Sequence, residues 1–344
     1  MANAAPQPTV ESSAALAEAA RLRSEGQALA AIRLLLAAAR LDRDPRIEEE
    51  LVALRHEAFE ELDRSPRAHP VRVVADPGAG GPLSELGPGD LTVANLRAGF
   101  AAHGCVLVRE LIPNGRAESL ARGIDDALAA FDAGVAGAPA SETSPWYAPF
   151  TPRAGKYRTG GRRGWMRASG GMWTVDSPRM LFEVLDLVDE TGVGQLITDY
   201  LGERPALSAN KCNLRRVPVT SDTNWHQDGA FLGAEVRSVN LWLGLSHCGT
   251  DAPGLDIVPR RIDEILETGS DGAIFDWSVS PEVVEQVGTP VSRPELAPGD
   301  ALLFDHFFLH RTGVGPGMTK ERHAIETWFF APSSYPDGQI PIVY

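Results

Sequence analysis

The stretch that most constrains this chain is 224–229, which reads Asn-Trp-His-Gln-Asp-Gly. Within it, His226 and Asp228 are two residues apart. Side chains at positions i and i+2 of a β-strand point to the same face. We therefore predict a strand over 223–230 from which an imidazole nitrogen and a carboxylate oxygen can reach one metal ion. A complete site needs at least one more ligand from elsewhere in the chain.

The stretch 298–313 supplies the best candidate for that ligand. An apolar run, which we predict as a strand over 301–309, leads there to His310. His306 is an alternative, because residues four apart on a strand share a face. Two histidines and one carboxylate on one side of a metal, with the other positions open, is the arrangement that non-haem Fe(II) oxygenases use.

Composition narrows the class of protein. The chain has 344 residues, enough for one or two domains, and a net charge of −14, which argues against nucleic acid or anionic membranes as partners. No apolar run is long enough to span a bilayer, and the N-terminus lacks the pattern of a signal peptide. The chain has three cysteines, Cys105, Cys212 and Cys248. They form no CxxC pair and lie in or beside apolar stretches, so we expect reduced, buried thiols and a cytoplasmic protein.

The N-terminal part of the chain is predicted to be helical. Residues 1–12 have the composition of a disordered leader. Residues 13–66 contain three amphipathic helical patterns, which weakly resemble a tetratricopeptide array and which we interpret as a helical extension packed on the main domain. Residues 67–91 are rich in Gly and Pro and form the predicted linker, with a short strand possible at 71–74. The remaining residues, 92–344, form the predicted main domain.

Within the main domain, helices come first and strands follow. We predict a mainly β fold with flanking helices, a jelly roll with helices packed along one side. The predicted helices are 92–103, 116–131, 178–189 and 193–201, and the predicted strands are 105–108, 206–216, 223–230, 238–246, 255–258, 273–278, 301–309 and 323–330.

The segment 134–171 has many Gly and Pro residues and little periodicity. It carries a basic cluster in an otherwise acidic protein: Lys156, Arg158, Arg162, Arg163 and Arg167. Long loops in folded domains are often lids or binding loops. A lid or substrate contact and a solvated loop are both compatible with this pattern.

The motifs together resemble the phytanoyl-CoA dioxygenase family. The resemblance spans about 92–331 and rests on His226-Gln227-Asp228, on His310 after a Pro-Gly-Asp turn, and on Arg322 twelve residues later. The stretches 100–109 and 238–243 are also similar to the family's opening helix–strand unit and to its strand after the HxD motif. The spacing of Arg322 from His310 matches the family and favours His310 over His306 as the ligand.

This resemblance implies a cupin-like double-stranded β-helix that uses Fe(II), 2-oxoglutarate and O2. Fe(II) would be held by His226, Asp228 and His310. Arg322 would bind the far carboxylate of 2-oxoglutarate, because a guanidinium pairs with a carboxylate in a planar two-bond geometry. Thr312 would add a hydroxyl contact and Trp242 would wall the cosubstrate pocket. The implied reaction is hydroxylation, or another oxidation, of an unactivated C–H bond.

The substrate is less constrained. The segment 254–261 departs from the family's Pro-Gly-Ser-His pattern, which argues against ordinary fatty-acyl-CoA substrates and favours another small molecule, such as one of specialised metabolism. Asp228 argues against halogenation, because related halogenases have a small residue in place of this carboxylate, which leaves room for chloride on the iron. Two alternatives remain: a protein or peptide hydroxylase that docks its partner through the N-terminal helices, and a non-catalytic jelly roll that binds a metal or ligand.

Overall fold

The computed structural model describes residues 10–67, 73–75, 83–153, 157, 160–221, 224–270 and 272–344. Its helices are α1 (Val10–Ser24), α2 (Ala28–Leu41), α3 (Pro45–Glu57), α4 (Val93–His103), α5 (Asn114–Val135), α6 (Ala140–Thr143), α7 (Gly160–Ala168), α8 (Pro178–Glu190), α9 (Val193–Leu201), α10 (Gly229–Leu232) and α11 (Pro281–Gln286). Its strands are β1 (Glu85–Leu86), β2 (Cys105–Val108), β3 (Gly171–Trp173), β4 (Ala206–Ser208), β5 (Asn213–Val217), β6 (Ser238–Gly244), β7 (Gly254–Ile257), β8 (Ala301–Phe304), β9 (His310–Gly313), β10 (Arg322–Phe330) and β11 (Pro341–Val343).

The three predicted N-terminal helices are present as α1, α2 and α3. Asp44 caps α3 by accepting from the backbone N–H of Arg46, and proline occupies the first helical position. The apolar faces of the three helices share one buried cluster with Phe182 of α8 and Val343 of β11. The Nη1 of Arg55 donates to the carbonyl of Val343 at 2.7 Å. The helices therefore cover the edge strand β11 of the main sheet.

We expect Leu54→Ala to lower the free energy of unfolding by about 2–5 kcal/mol, because Leu54 is fully buried (0% exposed) in that cluster. Leu41, at the end of α2, is 87% exposed. Leu41→Ala is the matched control and is expected to change stability by no more than about 0.5 kcal/mol. Urea denaturation of both variants measures the difference. Equal stabilities would show that the helices contribute little to the folded main domain.

The predicted linker contains more structure than its composition indicates. Within 77–89, predicted to be all loop, strand β1 pairs in parallel with β2. Residues 73–75 form no strand, and positions 71 and 72 of the possible strand 71–74 lie outside the described residues. The predicted leader is described only from residue 10, where α1 begins.

The largest sheet has nine strands within the described residues. Its main path runs β1-β2-β8-β6-β10-β4-β11, and β5 pairs with β10 and with β3. Strand β10 pairs antiparallel with β6 over seven residues. Alternate residues of these strands face opposite sides. One face packs on α4, α5, α8 and α9, where Leu241 and Ile325 join the largest apolar cluster.

The other face of this sheet opposes a second sheet formed by β7 and β9. Between the two sheets lies a separate apolar cluster, which includes Trp242, Leu255, Phe304 and Trp328. The interior of the fold therefore lies between a large, helix-backed sheet and a small one. The three cysteines are buried and unpaired. Among the described helices, none is both long enough and apolar enough to cross a membrane.

Several predicted elements differ from the structure. The predicted strand 206–216 is two strands, β4 and β5, with a turn at Ala209–Lys211 between them. No strand forms over 272–278 in the predicted strand 273–278, which consists of turns and bends. The segment 134–171 is not a continuous loop, because it contains α6, α7 and the start of β3.

Candidate metal centre

A backbone bridge joins the two halves of the candidate site. The N–H of His226 donates to the carbonyl of His310 at 3.0 Å, and the N–H of His310 donates back at 3.1 Å. The two residues are thus directly opposed in an antiparallel pair, which places their side chains next to each other. Their ring centroids are 4.4 Å apart.

Asp228 reaches the site in a different way from the one predicted. The expected strand 223–230 does not form over its described residues, 224–230, where only His226 makes a bridge and Asp228 has helical backbone angles at the start of α10. The chain turns so closely there that a Cβ on Gly229 would lie 2.3 Å from Ile265 Cδ1 and 3.0 Å from the carbonyl of His306. The carboxylate is therefore directed by a tight turn and not by strand alternation.

Gln227, between the two candidate ligands, is fully buried and holds this turn in place. Its Nε2 donates to the carbonyls of Phe307 at 2.6 Å and Glu264 at 3.0 Å. Its Oε1 accepts from the N–H of Leu266 at 2.7 Å. The amide side chain therefore ties the HxD turn to the segment that precedes His310 and to the loop after β7.

The candidate ligand atoms converge. Nε2 of His226 and Nε2 of His310 lie 4.0 Å and 3.8 Å from Oδ2 of Asp228. The ligand atoms of all three residues lie within 4.8 Å of one another, the only such cluster of three or more His, Cys, Asp or Glu side chains among the described residues. The structure thus brings together the three residues that the sequence singled out.

Both rings are held in the form that a metal requires. Nδ1 of His226 lies 2.9 Å from the carbonyl of Asn224, and Nδ1 of His310 lies 3.0 Å from the carbonyl of Phe308. A carbonyl only accepts, so each Nδ1 carries a proton, and in the neutral form of each ring the lone pair is on Nε2, directed toward the cluster. Burial, together with the neighbouring His226, lowers the pKa of His310 to about 4, which keeps that imidazole neutral at pH 7.

His306, the alternative ligand, is occupied elsewhere. The predicted strand 301–309 ends at Phe304, where Asp305 accepts from the N–H of Phe307 and starts a turn. Nδ1 of His306 lies 2.9 Å from Oγ of Ser238, and its Nε2 lies 3.1 Å from the carbonyl of Ala234. His306 and His310 therefore do not share a strand face as predicted, because the chain turns between them.

For His306→Ala we expect a structural effect and not a loss of metal. The residue is 4% exposed and both ring nitrogens have partners, so the variant should lose about 2–4 kcal/mol of unfolding free energy. Its Fe(II) affinity should stay within about threefold of wild type, since no ligand changes. Thermal unfolding and metal titration below the transition temperature measure the two effects. Loss of the metal with unchanged stability would assign the ligand role to His306.

Arg322 is a fully buried cation at the start of β10. Its Nη1 donates to the carbonyl of Gly254 at 2.7 Å, and its guanidinium lies 5.2 Å from the ring centroid of Trp242. Burial lowers its pKa to about 10. Among the described residues no carboxylate forms an ion pair with it. Both Nε of Arg322 and Nε1 of Trp242 are buried donors for which the described residues supply no acceptor.

Thr312 lies between this arginine and the candidate ligands. It is two residues after His310 on β9, so the two side chains share a face. Thr312 is paired with Leu255 of β7. Leu255 follows Gly254, whose carbonyl accepts from Nη1 of Arg322. His310, Thr312 and Arg322 therefore follow one another along the interior, in the order that the resemblance implies for iron and cosubstrate.

Lys211 and Glu326 are site residues that sequence reasoning missed. Nζ of Lys211 lies 3.7 Å from Oδ1 of Asp228, and burial lowers the pKa of this amine. Glu326, on the inward face of β10, acts electrostatically on both Lys211 and His310. Lys211 had no special position in the predicted strand 206–216, and only the turn between β4 and β5 directs it to Asp228.

The basic cluster of 134–171 is partly structural. Arg163 pairs with the buried Asp176 at 2.6 Å and so fixes α7 against the segment before α8. Arg167 also forms an ion pair, on the outside of the protein. These two side chains are therefore not free to bind a substrate. Lys156 and Arg158 lie outside the described residues.

Comparison with known proteins supports the fold. No family model and no curated protein matches the chain. A crystal structure of EctD from S. alaskensis with 2-oxoglutarate and 5-hydroxyectoine matches with a TM-score of 0.51 and 15% identity, over 80% of this chain and 88% of that chain. EctD with bound Fe matches with a TM-score of 0.50 and 16% identity, over 80% and 90% of the two chains. The predicted fold class, a cupin-like jelly roll with flanking helices, is confirmed.

Proposed function

We propose that this chain is an Fe(II)- and 2-oxoglutarate-dependent dioxygenase that hydroxylates, or otherwise oxidises, an unactivated C–H bond of a small molecule. In this proposal it is related to the phytanoyl-CoA dioxygenase family. His226, Asp228 and His310 hold Fe(II), and Arg322, Thr312 and Trp242 hold 2-oxoglutarate. O2 is the second cosubstrate.

One observation carries the proposal: the Nε2 atoms of two imidazoles converge with one carboxylate, and a main-chain carbonyl binds each Nδ1, so that the neutral form of each ring has its Nε2 lone pair available for a metal. Imidazole and carboxylate ligands on one side, with room for other ligands, suit non-haem Fe(II) better than a closed structural zinc site. The backbone carbonyls that bind each Nδ1 are the kind of outer partner that metal-binding histidines have.

The residues also fit the cosubstrate. A buried guanidinium without an ion pair is costly unless an anion joins it. The resemblance assigns the far carboxylate of 2-oxoglutarate to Arg322, and the donors of Arg322 and Trp242 that lack an acceptor among the described residues would suit that anion. The EctD structures, which share this fold, contain 2-oxoglutarate in one case and Fe in another.

The chain's own residues would bind, orient and exclude water. When bound, Fe(II) with 2-oxoglutarate and O2 supplies an oxidant for a C–H bond, and 2-oxoglutarate leaves as succinate and CO2. Arg322 would orient the cosubstrate from the closed end of the interior. The ring of Phe304 packs beside His310, and Trp328 packs against Phe304 in the apolar cluster between the two sheets. These two side chains keep that side of the site apolar and limit the access of water. The carboxylate of Asp228 leaves no small-residue gap for a halide, which favours oxygenation.

A protein substrate docked on the N-terminal helices is less well supported. Such docking requires an exposed apolar groove over 13–63. Among the described large apolar side chains of that segment, only Leu41 is strongly exposed. The outer face instead carries ion pairs, such as those of Arg21 with Glu18 and Glu25.

The test is an anaerobic titration of the protein with Fe(II) and 2-oxoglutarate, followed by visible absorption. We expect a weak metal-to-ligand charge-transfer band from chelation of the iron by the cosubstrate. The band should be absent in His310→Ala, which cannot complete the site, and present in His306→Ala at a temperature where that variant is folded. Bound iron without a band in wild-type protein would contradict the 2-oxoglutarate assignment and leave a different metal function on the same fold.

A further inference from the structure

The inward face of two neighbouring strands carries a polar strip of three residues, Asn213, Arg215 and Glu326. Asn213 lies opposite Glu326 in the pairing of β5 with β10, and its Nδ2 donates to Oε2 of Glu326 at 3.2 Å. Asn213 is 4% exposed, yet its Oδ1 has no hydrogen-bond partner in the part of the chain that the structure describes. A buried acceptor left unpaired costs about 1–3 kcal/mol, so its retention calls for an explanation.

Arg215 provides the complementary donor. Its side chain is 13% exposed, and its Nε lies 3.9 Å from Glu326, too far for a hydrogen bond. Within the described residues that Nε has no partner, and Nη1 contacts Sδ of Met166 at 3.3 Å and Oγ of Ser169 at 3.5 Å. The strip therefore presents one free acceptor and one free donor from adjacent inward positions of β5.

An aromatic wall borders the candidate metal centre on another side. The ring centroid of Trp277 lies 5.7 Å from His226 and 5.9 Å from Phe231. Phe275 stacks on Trp277 at 5.0 Å and is 44% exposed. Lys211 connects the wall to the polar strip, because its Nζ is 3.5 Å from the ring centroid of Phe231 and interacts electrostatically with Glu326. Exposed aromatic surface next to a site is typical of ligand contact.

The cations around the site outnumber the carboxylates by one. Lys211, Arg215 and the buried Arg322 are cations, and Asp228 and Glu326 are carboxylates. Fe(II) and the 2-oxoglutarate dianion add equal and opposite charges, so charge balance alone does not select the substrate. At the polar strip, Oδ1 of Asn213 is an acceptor that would repel a carboxylate, and the cations Lys211 and Arg215 would repel an ammonium group. Arg162 also acts on Lys211, but it is exposed and its field is screened by solvent.

We propose that the polar strip and the aromatic wall form the substrate pocket, and that it selects a neutral molecule with an apolar ring and a carboxamide-type group. The N–H of that group donates to Oδ1 of Asn213, and its carbonyl accepts from Nε of Arg215. The ring packs on Phe231 and Trp277, beside His226. This assignment rests on the proposed function for the chemistry, but the binding preference itself does not require a metal.

The test uses three probes that share one ring and differ in the end group: phenylacetamide, phenylacetate and 2-phenylethylammonium. Their binding is measured by ligand-observed NMR, with the metal-free protein and again with the anaerobic Fe(II) and 2-oxoglutarate complex. We expect phenylacetamide to bind at least about tenfold more tightly than either charged probe. Asn213→Leu, which is similar in size, should remove that preference, and Arg215→Met, which keeps most of the stem, should reduce it.

Trp277→Ala should weaken all three probes to a similar extent. Trp165, which is 60% exposed on α7, gives the matched control, and Trp165→Ala should leave all three affinities unchanged. Tighter binding of a charged probe, binding of none, or a preference that survives both strip variants would overturn the pocket assignment. An amide preference in protein that shows no charge-transfer band would instead leave the pocket in place and contradict the proposed iron and 2-oxoglutarate function.

Discussion

Asp228→Ala is expected to abolish measurable turnover of 2-oxoglutarate and to weaken Fe(II) binding by at least about 100-fold. Losing even an outer partner of a ligand commonly weakens a metal site 10–100-fold, and Asp228 would be a direct ligand and the only anionic one in the cluster. The fold should survive, because the side chain of Asp228 makes no capping hydrogen bond to α10. Gln227 and the bridge between His226 and His310 remain to hold the turn.

The measurement combines succinate formation, Fe(II) affinity and thermal unfolding. Asp132→Ala is the control, because Asp132 is an exposed carboxylate that pairs with Arg167 and lies on α5, on the helix-covered side of the large sheet. It should bind Fe(II) and turn over 2-oxoglutarate like wild type. Turnover by Asp228→Ala at the wild-type rate would remove Asp228 from the metal centre and with it the proposed triad.

For Arg322→Met we expect the Kd for 2-oxoglutarate to rise by about 100-fold or more, with Fe(II) affinity little changed. Loss of one partner of a buried, hydrogen-bonded charge pair costs about 2–5 kcal/mol, and a factor of 100 corresponds to about 2.7 kcal/mol. The protein without cosubstrate should not be destabilised, since an apolar side chain of similar length replaces a buried charge that has no ion pair. Arg322→Lys should recover part of the affinity but not the planar, two-bond contact.

Arg216→Met is the matched control for this experiment. Arg216 lies on β5, opposite His323 in β10, but it faces outward and pairs with Asp125 of α5. Its replacement should leave the Kd for 2-oxoglutarate unchanged. The charge-transfer titration gives both constants in the same experiment. Equal effects of the two substitutions would indicate a general electrostatic influence and not a binding contact at Arg322.

The sequence predicted the elements whose pattern is local. Helices α4 and α9 and strand β2 lie where periodicity and caps place them; Gly104, for instance, adopts φ 73 at the end of α4. The turns that interrupt the predicted strands depend instead on tertiary contacts. The apolar run after residue 301 contains no Gly or Pro at the turn, and the turn is set by Asp305, which also pairs with Arg261 from another part of the chain. Single-sequence patterns do not contain that partner.

The residues of the candidate site also fall into those that the sequence could predict and those that it could not. His226, Asp228, His310 and Arg322 could be selected because their spacing is matched in a known family. Trp277 could not, because it lies in a segment of turns that was predicted as a strand. The sequence pattern left 134–171 open as a lid or substrate contact, whereas the proposed pocket draws on β5, β10, α10 and the segment before α11.

The backbone bridge between His226 and His310 has a consequence for how the protein would acquire its metal. The two imidazoles are already opposed, and their tautomers already set, by main-chain groups that do not depend on an ion. In proteins whose ligands are gathered only by the ion, binding and folding are one event, and chelators unfold them. Here a chelator should remove the ion and leave a folded apoprotein that can bind the metal again. The fraction of such a protein that holds iron would then depend on the concentration of free Fe(II) around it, and not on whether iron was present while the chain folded.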